Sequence, residues 1–271
     1  MNNIFEIENL ECAYSQKSGI VLNIDRLYIP ESQMIFVVGP SGIGKSTILE
    51  ILGFMNNTIV SVKKFAYKGR DVSKAWKWSD DELSEFRNQE FSFIFQDNNL
   101  MPNFSALENV MITAMFQGMD KVKAEKEAKE IMNLLDLPSL QDRSIRQYSG
   151  GQRQRLSFAR AILPRFSVLF GDEPTGNLDE GSAENVMKIL QDKVHERKVT
   201  AVIVSHDMRL ATKYADMIIQ IQKKEKENSS DYYGYIGQES IYIKECNEWK
   251  QDKNSFSQEE FLSKLERDLQ K

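Results

Sequence analysis

Short β-branched and aromatic runs alternate along this chain with stretches whose apolar positions recur every three or four residues. Phe5 to Leu10 and Val21 to Ile29 read as strands joined by a polar turn around Gln16-Lys17-Ser18-Gly19. Ile35-Phe36-Val37-Val38 is short, wholly apolar and stopped by Gly39, which predicts a buried strand rather than a helix. Ile48, Leu49, Ile51 and Leu52 follow at helical spacing. Val60 to Trp78 shows no clear period. Asp80 to Asn88 reads as helix and Phe91 to Phe95 as strand.

From about residue 98 to 156 the character becomes helical. Ala124, Ala128, Ile131 and Leu135 share one face among Lys and Glu, with Pro138 closing that helix. The pattern then returns to alternation: Ser157 to Leu163 as helix, Val168 to Phe170 as strand, and a helix with the stripe Val186, Ile189, Leu190 and Val194. Ala201 to Val204 and Met217 to Ile221 complete the strand set. Strands alternating with helices predict an α/β fold with a largely parallel, helix-covered sheet and an antiparallel N-terminal part. The expected division is a core of 1–97 and 157–222, an inserted helical subdomain at about 98–156, and an extension over 223–271. Within the extension Lys223 to Ser230 reads as a charged break. Tyr232 to Ile236 and Ile241 to Lys244 are expected to pair as a hairpin. Ser257 and Glu260 form a capping-box pattern before a last helix that turns Phe261, Leu262, Leu265 and Leu269 inward.

The chemistry begins at Gly39-Pro40-Ser41-Gly42-Ile43-Gly44-Lys45-Ser46-Thr47, which satisfies the glycine-rich P-loop pattern between a strand and a helix. Glycines let successive amides face an anion, and the helix start adds its positive end. Lys45 has the reach for β- and γ-phosphates, and the Ser46 hydroxyl suits magnesium. Val168 to Glu173 ends a strand in two carboxylates. Asp172 suits magnesium if its strand neighbours that of the P-loop, and Glu173 is placed to act as general base on water. Either motif alone has a bland reading, a glycine-rich turn or a helix start. Together they imply hydrolysis of a nucleoside triphosphate.

Ser149-Gly150-Gly151-Gln152 opens an arginine-rich helix and has no evident job inside its own subunit. With this motif the chain resembles the nucleotide-binding subunits of ABC transporters, Tyr148 standing where leucine is commoner. The resemblance covers about residues 4 to 222. It implies the ABC ATPase fold, ATP and Mg2+ as ligands, and a head-to-tail dimer whose Ser149 to Gln152 lie across ATP held by the other copy. By the same likeness Tyr14 stacks on adenine, although an aromatic there equally suits core packing. Gln96 matches the glutamine that reaches magnesium or the attacking water. Asn177-Leu178-Asp179 matches the loop that crosses the dimer interface, and His206 matches the histidine that meets the γ-phosphate and orients Glu173. Glu173-Pro174-Thr175-Gly176-Asn177-Leu178-Asp179 and Leu107-Glu108-Asn109-Val110 are similar to the lipoprotein-release, macrolide-export and cell-division branch. The implied partner is an integral membrane permease, with its docking face expected near Phe104 to Met119.

Bulk properties narrow the setting. At 271 residues and 41% hydrophobic, the chain can bury a sizeable core. A net charge of −5 gives no global basic field for nucleic acid. Cys12 and Cys246 have neither metal-ligand spacing nor the look of a disulfide framework. No basic-then-apolar leader and no long apolar run occur, so the expectation is a cytoplasmic protein held at the inner membrane face through its permease. A soluble, non-transport ABC-type ATPase is the alternative, but such chains usually carry long coiled coils or two fused cassettes. A module that only senses ATP would dispense with Glu173 or His206, and both are present.

Overall fold

The computed structural model describes residues 2–15, 19–137, 144–226 and 231–269. Strands β1 (Asn3–Cys12) and β2 (Leu22–Pro30) precede β3 (Met34–Val38), which leads through a loop into helix α1 (Lys45–Leu52). Next come β4 (Ile59–Tyr67), the two-residue β5 (Arg70–Asp71), α2 (Asp80–Glu90) and β6 (Phe91–Ile94). Three helices follow: α3 (Ala106–Phe116), α4 (Lys121–Leu134) and α5 (Gly150–Ile162). Alternation resumes with β7 (Val168–Asp172), α6 (Glu180–Arg197), β8 (Thr200–Val204), α7 (Met208–Tyr214) and β9 (Met217–Gln220). The chain closes with β10 (Gln222–Glu225), β11 (Tyr232–Ile236), β12 (Ile241–Glu245), β13 (Glu248–Gln251), β14 (Asn254–Phe256) and α8 (Gln258–Leu269).

Two sheets organise these elements. The larger has the order β14-β13-β12-β9-β3-β8-β7-β6. Its β9, β3, β8, β7 and β6 are parallel, and β12 to β14 add antiparallel strands at one edge. All five residues of β3 are buried. Met34, Phe36 and Val38 face one core, while Ile35 and Val37 face the other. Burial on both faces is why this segment reads as a continuous apolar run rather than an alternating one. The smaller sheet, β10-β11-β2-β1-β4-β5, lies over the second core and is mostly antiparallel. Between the sheets Phe54 stacks on Phe65 and Phe91 at 5.4 and 6.0 Å, and meets Phe86 edge-on at 5.5 Å.

Several expectations change. The stretch without a period contains β4, whose register sets Glu8 opposite Lys64 and Glu6 opposite Ala66. Its outer half is exposed and held by ion pairs, Lys63 to Glu8 and Lys64 to Glu6, so hydrophobic alternation is lost there. Tyr232 to Ile236 and Ile241 to Lys244 do not pair as a hairpin. β11 lies between β10 and β2 in the smaller sheet, whereas β12 continues the larger sheet from β9. Lys223 to Glu225 belong to β10, which begins at Gln222, rather than to a break. Residues 16–18, 138–143 and 227–230, including Pro138 and most of the first polar turn, lie outside the described residues.

In the last segment Ser257 and Glu260 make both bonds of the capping box, at 2.9 and 3.4 Å. Phe261 and Leu265 are fully buried, and Leu262 and Leu269 pack beside them. The segment is thus an addition to the central sheet with a helix sealing it.

Candidate nucleotide site

The loop between β3 and α1 turns on Gly42 (φ +75°) and Gly44 (φ +104°), left-handed values that side chains strain to adopt. A Cβ on Gly44 would meet Leu22 at 3.6 Å, so the small sheet backs the cradle directly. Lys45 is 7% exposed and donates from Nζ to the carbonyls of Gly39 (2.9 Å) and Pro40 (2.7 Å). An ammonium has three donors, so one remains to meet an anion. Burial pulls the Lys45 pKa down, and the nearby charges of Glu173 and Asp172 oppose this.

Ser46 donates from Oγ to Asp172 Oδ2 at 2.8 Å. This approach was expected from adjacent strands, and the strands are not adjacent: β8 separates β3 from β7. Helix α1 instead leans across β8 toward β7 and carries Ser46 over the gap. Two hard oxygens at the mouth of an amide-lined loop fit Mg2+. Among the described residues no group of three or more His, Cys, Asp or Glu side chains could hold a metal alone. The pair therefore suits an ion that takes its other ligands from phosphate and water.

One residue further, Glu173 adopts φ +51° and donates its N–H to Val204 O at 3.0 Å. Its Oε1 lies 2.9 Å from His206 Nε2. His206 sits on a turn pinned by Ser205 Oγ, which accepts from Asp207 N–H (3.0 Å), and by Asp207 capping α7. Glu173, His206, Gly176 and Leu178 line a cleft of about 780 Å³ that Glu266 and Leu269 of α8 also line. Gln96 is exposed just past β6. Ile94 pairs with Gly171, so Gln96 and Glu173 each stand two residues beyond matched positions on adjacent parallel strands.

The Tyr14 ring is 58% exposed, which removes the core-packing reading, and its hydroxyl shares a 2.6 Å hydrogen bond with Thr47 on α1. Ser149 and Gln152 do have a task within their own subunit. Ser149 N–H donates to Gln152 Oε1 (3.0 Å) and Gln152 N–H to Ser149 Oγ (3.2 Å), a reciprocal cap on α5. Gly151 packs on the loop after Glu173, since a Cβ there would meet Asn177 O at 3.1 Å, whereas Gly150 faces open space. Asp179 caps α6, accepting from Ser182 N–H (3.0 Å) and Oγ (2.8 Å), and these bonds lower its pKa. His195 is exposed, 3.9 Å from Asp216. Asn109, quoted for a subfamily likeness, is fully buried and brackets the preceding loop through Met101 and Ser105.

Two residues of α5 were not marked by any motif in the sequence. Gln154 is 1% exposed and bonds the backbone of Glu173 and Asn177. Arg160 is 8% exposed and donates to the carbonyls of Asn98 (2.8 Å) and Asn99 (2.6 Å) beside Gln96. The signal was present as a spacing, Gln154, Ser157 and Arg160 each three apart on one helix face. Nothing local said that this face was buried.

A phosphate cradle after a parallel strand, an Oγ–carboxylate pair and a second carboxylate held by histidine define a P-loop nucleoside triphosphatase. Residues 22–176 match the family described as ABC transporter, and the chain belongs to that family. It is 38% identical over 202 residues to the macrolide export ATP-binding/permease protein MacB of Shewanella sp. strain ANA-3, covering 74% of this chain. The matched part is 30% of that protein's length. It is 37% identical over 204 residues to the lipoprotein-releasing system ATP-binding protein LolD of Bdellovibrio bacteriovorus, covering 74% of this chain and 90% of that one. The dimeric structure of MJ0796, a bacterial ABC transporter cassette, superposes with a TM-score of 0.71 at 31% identity, covering 80% of this chain and 93% of that one. The fold is that of an ABC ATPase cassette, as the resemblance implied. No helix among the described residues is long and apolar enough to cross a membrane.

Proposed function

We propose that this chain is the Mg2+-dependent ATPase subunit of a transporter, closing on ATP as a head-to-tail homodimer and driving a separate integral membrane permease from the cytoplasmic face. The observation that carries the reading is the convergence of Lys45, the Ser46–Asp172 pair and the Glu173–His206 pair at one end of a parallel sheet. The cradle amides and Lys45 hold the phosphates, and Tyr14 offers its exposed ring to adenine. Ser46 and Asp172, with Gln96 alongside, would hold Mg2+, which would supply charge neutralisation at the phosphates. Water adds to the γ-phosphorus, the bond to the bridging oxygen breaks, and Glu173 takes the proton of the attacking water. His206 keeps the Glu173 carboxylate aimed.

Ser149, Gly150, Gly151 and Gln152 complete the site of the other copy. The cap uses a lone pair of the Ser149 hydroxyl and leaves its O–H to donate to a γ-phosphate. Support for the dimer comes from the dimeric cassette of similar fold, and support for a membrane partner from the names of the relatives. The permease docks where Phe116, 71% exposed on α3, adjoins a cleft of about 390 Å³ lined by Phe93, Phe95 and Gln117.

Glu173→Gln tests the reading. Turnover should fall by about 10²–10⁴-fold, the range for losing a general base. ATP binding should survive, so an ATP-loaded dimer should accumulate on a sizing column. Near-normal turnover would remove Glu173 from the mechanism.

A further inference from the structure

The residue that precedes a proline is pushed toward extended backbone, and a left-handed conformation at a non-glycine residue is disfavoured in its own right. Glu173 meets both conditions, with φ +51° directly before Pro174. Something outside the turn has to hold it there. The turn's own bonds, Gly176 N–H to Glu173 O (3.2 Å) and Leu178 N–H to Thr175 O (3.0 Å), close it internally. From outside, Val204 O of β8 accepts the Glu173 N–H, and among the described residues one side chain from another element spans the mouth of the turn. Gln154 donates from Nε2 to Glu173 O at 2.8 Å and accepts the Asn177 N–H on Oε1 at 2.7 Å. A carbonyl only accepts and an amide N–H only donates, so these partners fix which end of the Gln154 amide is which.

We infer that Gln154 is a positioning residue for Glu173, an amide clamp that sets the backbone from which the Glu173 carboxylate reaches His206. The inference rests on Glu173 being the general base. Helix α5 begins at the Ser149 cap, within two turns of Gln154, and it runs unbroken to Ile162. On the same face Ser157 and Arg160 hold Asn98 and Asn99 beside Gln96. One rigid helix thus carries the residues expected to meet the other copy's ATP and also sets the loops on either side of its own catalytic carboxylate. Seating of α5 by the twin's nucleotide is transmitted through Gln154 to Glu173 and to Asn177, at the start of the interface loop.

The test compares Gln154→Leu and Gln154→Glu with the parent chain in steady-state ATP hydrolysis, each alone and with Glu173→Gln. Leu removes both polar atoms at similar volume. Glu keeps an acceptor for Asn177 but sets an oxygen against the Glu173 carbonyl. Because a shift of about 1 Å at a reacting group can cost 100-fold, kcat should fall about 10–100-fold in both variants. KM for ATP should stay within about twofold, since neither variant touches the cradle. In the Glu173→Gln background, Gln154→Leu should slow the residual rate no further. Parental kcat in either folded variant overturns the inference, as does a full additional loss in the double variant. Should the Leu variant fail to bind ATP, the Glu variant decides by the same criteria. An active Glu173→Gln chain would defeat the assignment of the base itself, whereas an inactive one beside an active Gln154→Leu chain would defeat the clamp alone.

Discussion

Replacing Arg160 by methionine isolates what holds the loop after Gln96. The stem is retained in volume, and two charge-assisted bonds are lost, to Asn99 O at 2.6 Å and Asn98 O at 2.8 Å. Asn98 O keeps Ser157 Oγ at 3.1 Å, so only Asn99 O loses the partner that the arginine alone supplied. A bond to a charged donor is worth about 1.5–3 kcal/mol net, and the part-buried bond to Asn99 O is the one with no replacement among the described residues. Burial also lowers the Arg160 pKa, a sign that the guanidinium bears a desolvation cost which the methionine escapes. The balance is about 2 kcal/mol of destabilisation, and urea unfolding should show it as an earlier midpoint with an unchanged slope. Asn98 and Asn99 hold left-handed φ values of 59° and 44°. Their release should speed hydrogen exchange over 95–101 before exchange elsewhere changes. A methionine variant within about 0.5 kcal/mol of the parent, with exchange of that loop unaltered, would refute the argument.

Phe261 is fully buried at 4.6 Å from Tyr242 and 4.8 Å from Trp249 by ring centroid. Phe261→Ala should cost about 3–5 kcal/mol and expose 241–269 to protease, while ATP affinity stays near that of the parent; a protected segment would show that the extension is held by other contacts. Burial pushes the Cys12 thiol up to about 12 from an ordinary 9.0. Between those values the native state keeps a proton that the unfolded chain has shed, so stability falls as pH rises. The parent should therefore lose stability above pH 9 more steeply than Cys12→Ala in urea titrations, and parallel curves would contradict the assignment.

The cradle was legible because phosphate binding by backbone amides needs glycines at set intervals between a strand and a helix, all within a dozen residues. Asp172 and Glu173 were legible for a similar reason, as carboxylates at the end of an apolar run. Strand β4 was not, because cross-strand pairs of Lys63 and Lys64 with Glu8 and Glu6 replace the alternation that marks a half-buried strand. The expected hairpin failed because pairing is non-local. Gly234 of β11 lies opposite Leu22, about two hundred residues earlier, and no local pattern names that partner. The tasks of Gln154 and Arg160 were hidden in the same way, since a polar residue on a helix reads as solvated until something covers it.

Local chemistry therefore settled the phosphate loop, the acidic strand end and the helix caps, each of which is a bargain between residues a few positions apart. Tertiary structure alone decided that Ser46 reaches Asp172 across an intervening strand and that one face of α5 grips two loops. Those outcomes depend on contacts between residues 19 to 126 positions apart. They are set by how two sheets and their helices share a core, a property that no short window of sequence contains.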